Sequence, residues 1–525
     1  MGFGIISLNF RLYIMSVAES FYITTPIYYV NDVPHIGHAY TTISCDVVSR
    51  FMRLAGKDVK FLTGTDEHGQ KVEKSAEKYG LPPQEFTDKT SATFRQMMQT
   101  LNISNDDFIR TTQERHKEAV RHFWAKLVES GDIYLGKYSG WYSIRDEAFY
   151  SEKELTEEGL APTGAPVEWV EEPSYFFKLS KWQDKLLEYY EGHPDFIIPE
   201  SRRNEVISFV KSGLTDLSVS RTSFSWGIPV PDNEKHIIYV WLDALTNYIA
   251  ALGYPDKENQ YKKYWPASAH VVGKDILRFH AVYWPAFLMA ARLDLPRSIV
   301  AHGWWTNEGQ KISKSIGNVI DPFSLVEEFG LDQVRYFLMR EVTFGNDGNF
   351  SKENLIMRNN SELANKIGNL LQRTSSFVFK HCNGNVPPVS QSYIDEAYNT
   401  PLLIDILSIQ QQNIAAMEAF QINKVLDNII HISEQANIYI DKEAPWALKN
   451  TDTIKMHQVL YNLLESLRFI SIMLQPFIPD SASKMIDQLN VPNNQRSFAN
   501  LTKEYALKPS SALMQPSPIF PRFEK

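Results

Sequence analysis

Residues 21–62 read as a strand, a turn, a helix and a second strand, and this pattern constrains the fold more than any other part of the chain. Phe21 to Thr25 is aromatic and β-branched, the pattern of a buried strand. A short turn containing Asn31 and Pro34 leads into Gly37 to Leu54, where Ile43, Val47, Phe51 and Leu54 recur at helical spacing. Gly56 stands where a helix-terminating glycine belongs, and Val59 to Leu62 reads as the next strand. Such a unit predicts a βαβ crossover of the kind that builds a parallel, nucleotide-binding sheet.

The alternation stops between about 126 and 235, where segments are mixed, aromatic-rich and charged, as in an inserted domain. It resumes with three strand-like runs, His236–Trp241, Ala269–Gly273 and Ser298–Gly303. The sheet is therefore expected to be assembled from two separated stretches, 21–125 and 236–325. Residues 326–355 read as a linking segment and 1–20 as an N-terminal extension. From 356 onward the pattern changes. Segments 401–418, 420–440 and 454–476 carry apolar residues at i, i+3, i+4 and i+7, which predicts an antiparallel helical bundle over 356–525. Lys508 to Lys525, rich in proline, is expected to run loosely over its surface.

A net charge of −9 is not that of a protein that binds nucleic acid indiscriminately. A polyanionic partner has to be held by a local basic surface and by shape. No apolar run reaches the roughly 18 residues of a membrane span. Cys45 and Cys382 lie too far apart for a metal knuckle and read as small core residues in a reducing compartment.

Two short stretches carry chemistry. Pro34-His35-Ile36-Gly37-His38 places two histidines three apart at a helix N-terminus, where the helix dipole and free amides favour phosphate. Gly37, with no Cβ, lets an adenine or ribose approach the backbone closely. Taken alone, the same residues suit a pair of capping or core histidines equally well. Lys311-Ile312-Ser313-Lys314-Ser315 is a cationic, hydroxyl-rich loop suited to a leaving pyrophosphate. Taken alone, it suits a solvated lysine loop.

Together, in this order and in the two halves of a split sheet, these stretches resemble the HIGH and KMSKS signatures of class I aminoacyl-tRNA synthetases. Further blocks resemble the methionyl-tRNA synthetase family: Thr25-Pro26-Ile27-Tyr28-Tyr29-Val30-Asn31, Gly64-Thr65-Asp66-Glu67-His68-Gly69, Val240-Trp241-Leu242-Asp243-Ala244, Gly273-Lys274-Asp275-Ile276 and Ala444-Pro445-Trp446. The resemblance runs from about Phe21 to at least Trp446. It implies an α/β, split Rossmann-like catalytic domain with an inserted connective domain, followed by an all-α anticodon-binding bundle. It also implies ATP-dependent ligation of L-methionine to tRNA(Met), initiator tRNA included, through a methionyl-adenylate.

The resemblance further implies roles for particular residues. His35, His38, Lys311 and Lys314 would be catalytic. His35, Gly37, His38, Gly273, Asp275, Lys311, Ser313 and Lys314 would hold ATP, which arrives with Mg²⁺. Pro26, Ile27, Tyr29, Asp66, Trp241, Ala244, Leu245, Tyr248, Ile276 and His280 would form the methionine site, Asp66 taking the ammonium group. Aromatic walls suit a polarizable thioether. Asn369, Arg373 and Trp446 match the anticodon-reading set, and splayed bases stack well on an aromatic ring.

One departure stands out. Many relatives carry CxxC knuckles for structural zinc in the inserted domain, whereas Gly140 to Tyr150 holds no cysteine. No structural zinc is therefore expected. The interval between His38 and Lys311 is also too short for the large editing insertion of the valine, isoleucine and leucine enzymes. With no appended oligonucleotide-binding domain at its end, the chain is expected to act as a monomer, away from membranes. The expected location is a bacterial cytoplasm, with the mitochondrial matrix as the alternative.

Overall fold

The computed structural model describes residues 18–524 except 32, 147, 151, 257 and 313–316. The expected extension, 1–20, thus lies almost wholly outside the described residues, as do Ser313 and Lys314.

A parallel sheet forms the centre. Strands β1 (Ser20–Thr24) and β2 (Tyr28–Tyr29) both pair with β3 (Asp58–Asp66), whose other edge takes β4 (Asp107–Arg110). On its far side β1 pairs with β6 (Ala269–Gly273), which pairs with β7 (Ile299–His302) and then with β5 (Ile197–Ile198) through β7. The two halves of the chain therefore meet between β1 and β6. That junction is where the strand order reverses, and the carboxyl ends of strands at such a point open a crevice for ligands. Helix α1 (Ile36–Leu54) crosses from β2 to β3 and buries Ile43, Val47 and Phe51 against the sheet. Gly56, at φ +89°, follows it and turns the chain into β3.

Four expectations need correction. His236–Trp241 is not a strand of the parallel sheet. Asn233–Ile238 instead pairs antiparallel with Ser220–Arg221 and Pro229–Val230, and a helix starts at Val240. A short apolar run fits a buried strand and a buried helix equally well, so periodicity does not separate them. The inserted part is also narrower than 126–235, because β5 returns to the central sheet. Its body is an antiparallel sheet of Ile133–Ser143, Ala148–Tyr150, Glu168–Phe177 and Leu217–Ser218. The division at 355 falls inside a helical run, Lys352–Arg358 continuing into a π-helix at Asn359–Gly368 and an α-helix at Asn369–His381. Finally, the terminal stretch is docked rather than loose. Asn385 bridges to Ala512, and Leu513 and Phe520 are buried.

At the end of the inserted sheet a small group of side chains packs together. Tyr150, Ala161 and Ala165 form a small cluster with Leu155 and Val167 beside it. The Arg145 guanidinium donates to the Thr163 carbonyl at 2.7 Å, and the Tyr150 hydroxyl donates to Asp146 at 3.1 Å. Among the described residues, no group of three or more His, Cys, Asp and Glu side chains is placed to hold a metal.

The bundle follows the sequence pattern closely, with helices at Pro401–Glu418, Ile422–Glu443 and Thr453–Leu474. Arg335, fully buried, joins it to the helix that packs on the central sheet. Its guanidinium donates to Asp46 on α1 at 2.6 Å, to the Leu101 carbonyl at 3.1 Å, and to the carbonyls of Pro476 and Phe477 at 2.9 and 3.1 Å. All three guanidinium nitrogens are thereby satisfied, as a buried charge requires. Cys45 and Cys382 are both buried. Among the described residues, no helix is long and apolar enough to cross a membrane.

Candidate active site

His35 caps α1, and its Nδ1 accepts the backbone N–H of Gly37 at 3.1 Å. Nδ1 of His38 in turn accepts the backbone N–H of His35 at 3.2 Å. A ring nitrogen that accepts carries no proton, so each neutral imidazole holds its proton on Nε2. Burial lowers the pKa of His35, with Asp275 opposing, and lowers that of His38 further, with the neighbouring His35 adding to the effect. The two rings lie 3.9 Å apart between centroids. The helix start therefore presents a pair of imidazole Nε2–H donors at the positive end of the helix dipole, a setting for phosphate oxygens. Gly37 has a second reason for lacking a side chain: a Cβ there would stand 2.9 Å from Cε1 of His35.

Across the crevice, β6 ends at Gly273. A Cβ at that position would lie 2.5 Å from Oδ1 of Asp275, so only glycine lets the carboxylate fold back over the strand end. Lys311 stands on a hairpin, Trp305–Asn307 with Gln310–Lys311, turned by Glu308 and Gly309, both at positive φ. Its ammonium is 5.7 Å from the ring of Trp304.

The residues expected to line the methionine site gather at the same end of the sheet. Tyr29 lies opposite Asp66 in register, and Asp66 is buried. Pro26, Ala244, Leu245, Tyr248 and His280 are buried, while Ile27, Tyr29, Trp241 and Ile276 are half-buried. His280 is tightly constrained. Its Nδ1–H donates to the Ile276 carbonyl at 2.9 Å, which leaves Nε2 to accept the Tyr248 hydroxyl at 2.7 Å. Burial depresses its pKa to about 4, against a small opposing effect of the Ile276 carbonyl. The helix widens to a π-turn over Phe279–Tyr283, a distortion common at functional sites. There Phe279 stacks on Trp241 at 3.8 Å and 9°.

The sequence reading gave no role to Phe279, Trp304, Glu67, His68, His116 or Asp243. Asp243 is fully buried between His68, whose Nδ1 is 2.7 Å away, and His116, whose Nε2 is 2.6 Å away. Burial would raise its pKa, but attraction to His68 and hydrogen bonds from both rings pull it down to about 2. Glu67 is clamped by Arg110, Nε to Oε1 at 2.6 Å and Nη2 to Oε2 at 2.9 Å. A charged residue set in apolar surroundings has to be paired. Asp66-Glu67-His68 and Asp243 could have been singled out on that ground.

In the bundle, Asn369 is exposed and Arg373 follows one turn later on the same helix. Trp446 is the second residue of the four-residue helix Pro445–Leu448, which follows directly on Ala444 at φ +43°. Its ring is 43% exposed and lies 5.6 Å from the Arg373 guanidinium, which also bonds Asp441 at 2.7 Å. Arg373, Phe377, Ile440, Pro445 and Trp446 border a cavity of about 340 Å³.

A family model described as "tRNA synthetases class I (M)" matches residues 21–163 and 161–375, and one described as "Anticodon binding domain of methionyl tRNA ligase" matches 394–525. A methionine–tRNA ligase of Rickettsia felis is 68% identical over 506 residues, 96% of this chain and 99% of that protein. One from Brucella suis is 54% identical over 510 residues, 96% of this chain and 98% of that protein. Methionyl-tRNA synthetase of Mycobacterium tuberculosis, solved in complex with methionyl-adenylate, superposes with a TM-score of 0.92 at 47% identity, covering 96% of this chain and 100% of that one. The same enzyme in its free state gives 0.87 at 44% identity, covering 97% of this chain and 99% of that one. With both halves of the split sheet and the bundle matched, the chain belongs to the methionyl-tRNA synthetase family of class I aminoacyl-tRNA synthetases.

Proposed function

We propose that the family reaction, ATP-dependent joining of L-methionine to tRNA(Met) through a methionyl-adenylate, runs on the residues gathered at the β1–β6 crevice. The observation that carries this reading is the histidine pair on α1, neutral and holding its protons on Nε2. Donors fixed before the reaction spend no energy on reorientation when charge develops.

ATP enters with Mg²⁺ on its phosphates. His35 and His38 donate to phosphate oxygens, and Asp275 accepts from the ribose hydroxyls. Asp66 holds the methionine ammonium, while Trp241, Tyr248 and His280 enclose the thioether. The methionine carboxylate then attacks the α-phosphorus, the bond to the bridging oxygen breaks, and pyrophosphate leaves with its charge stabilised by Lys311 and Lys314. The terminal ribose hydroxyl of tRNA attacks the adenylate carbonyl, losing its proton as AMP departs. Positioning and electrostatics supply the catalysis, with no covalent enzyme intermediate.

His280 has both ring nitrogens engaged inside the protein, so it presents an uncharged wall and is not a proton donor to substrate. Asn369, Arg373 and Trp446 read the CAU anticodon of initiator and elongator tRNA, Trp446 by stacking on a base. The bacterial origin of the similar ligases supports action in a bacterial cytoplasm, and the chain works as a monomer. The test is His38→Ala in methionine-dependent pyrophosphate exchange. A loss of about 10²-fold is expected for one preorganised donor. A rate within a few-fold of the parent overturns the assignment of the pair.

A further inference from the structure

Trp304 is 46% exposed, yet its indole is fixed on several sides. Its Nε1–H donates to Oδ1 of Asp275 at 3.2 Å, and its backbone N–H donates to Asp347 at 2.8 Å. Asp347 also binds the Lys274 ammonium at 2.7 Å, and that ammonium lies 4.4 Å from the Trp304 ring centroid. The Lys311 ammonium is 5.7 Å from the same centroid. Lys274 is thus neutralised by Asp347, whereas Lys311 makes no ion pair among the described residues. An indole at this point offers a hydrogen bond to one group and a negative π-face to another.

We propose that Trp304 is a positioning residue for the nucleotide, setting the Asp275 carboxylate through its N–H and seating Lys311 on its ring. The inference rests on the reading that Asp275 and Lys311 bind ATP. With Oδ1 of Asp275 held by the indole, Oδ2 is turned to accept from a ribose hydroxyl. With the Lys311 ammonium held against the ring, the first lysine of the loop starts from a fixed point relative to the ribose. One residue therefore spans the distance between the sugar and the phosphates.

Four proteins test this by steady-state pyrophosphate exchange: Trp304→Ala, Trp304→Phe, Lys311→Ala and the Trp304→Ala/Lys311→Ala double variant, each checked by a thermal melt. Trp304→Ala is expected to lower kcat/KM for ATP about tenfold, the combined worth of one exposed cation–π contact and one hydrogen bond. The KM for methionine stays within about twofold, which a general loss of structure does not allow. Trp304→Phe keeps the ring face and loses only the N–H, so its defect is confined to KM for ATP. The double variant falls by less than the product of the two single losses, because neighbours that act together are not additive. If Lys311→Ala is strongly impaired while Trp304→Ala matches the parent, or if the losses multiply, the proposal is wrong and the ATP site stands. If Lys311→Ala itself matches the parent, the reading of the ATP site fails and the proposal falls with it.

Discussion

Nδ1 of His38 accepts the backbone N–H of His35 at 3.2 Å, so two residues of one helix start lock each other's geometry and tautomer. The pKa of both rings lies below the ordinary histidine value of 6.5, burial being the main cause. In the unfolded chain both rings take up protons as pH falls through about 6.5, whereas in the fold they do so only at lower pH. The unfolded state then binds more protons, so the stability these rings confer is complete above that pH and declines below it. NMR of the imidazole Cε1–H signals checks this: both rings titrate with midpoints below 6.5, His38 lower than His35, and a midpoint at or above 6.5 contradicts the account.

Asp243 predicts a second pH window with the same sign but lower in range. Its folded pKa of about 2 lies below its ordinary 3.8, so its contribution is present above pH 4 and lost as pH falls toward 2. Removing the carboxylate leaves two buried histidines without their partner. Asp243→Ala is expected to cost about 3–5 kcal/mol, the scale for breaking a buried charged network. Urea unfolding at neutral pH measures it, and a change below about 1 kcal/mol would mean that the triad is dispensable.

Tyr248→Phe removes one oxygen and leaves Nε2 of buried His280 without its donor. The expected cost is about 1–3 kcal/mol, the desolvation penalty of an unsatisfied acceptor. Urea unfolding reads that cost, and the loosened ring of His280 is expected to raise KM for methionine several-fold with KM for ATP unchanged. Equal rises for both substrates would place the pair outside the methionine site.

Trp446→Ala is expected to lower tRNA charging by about 5–150-fold, the worth of one base–aromatic stack, and to leave methionine activation intact. Its ring is 43% exposed, so the melting temperature should hardly move. A core tryptophan would cost about 3–5 kcal/mol on truncation. A parallel drop in both activities and in melting temperature would show that Trp446 packs rather than reads.

The βαβ unit from β1 to β3 and the three long bundle helices were legible because each is a long run of one periodicity, with Gly56 marking one end. The extent of the insertion was not. β5 is only two residues, Ile197 and Ile198, too short to carry a pattern, and it is identified by pairing with β7 across about a hundred residues of sequence. The apolar run at His236–Trp241 hid a change from strand to helix at Tyr239, where local sequence is neutral between the two. In the site, His35, His38 and the loop lysine stood out as motif residues. The proton positions, the stacking of Phe279 on Trp241 and the two histidines on Asp243 arise from contacts between distant segments. Sequence spacing does not encode them.

The central claim is that this chain activates methionine at the β1–β6 crevice. Methionine-dependent exchange of labelled pyrophosphate into ATP by the purified protein tests it most directly, run beside leucine, valine and the His38→Ala variant. The account predicts exchange with methionine, none above background with leucine or valine, and a loss of about 10²-fold in the variant. Absence of methionine-dependent exchange, or full exchange by His38→Ala, would contradict it.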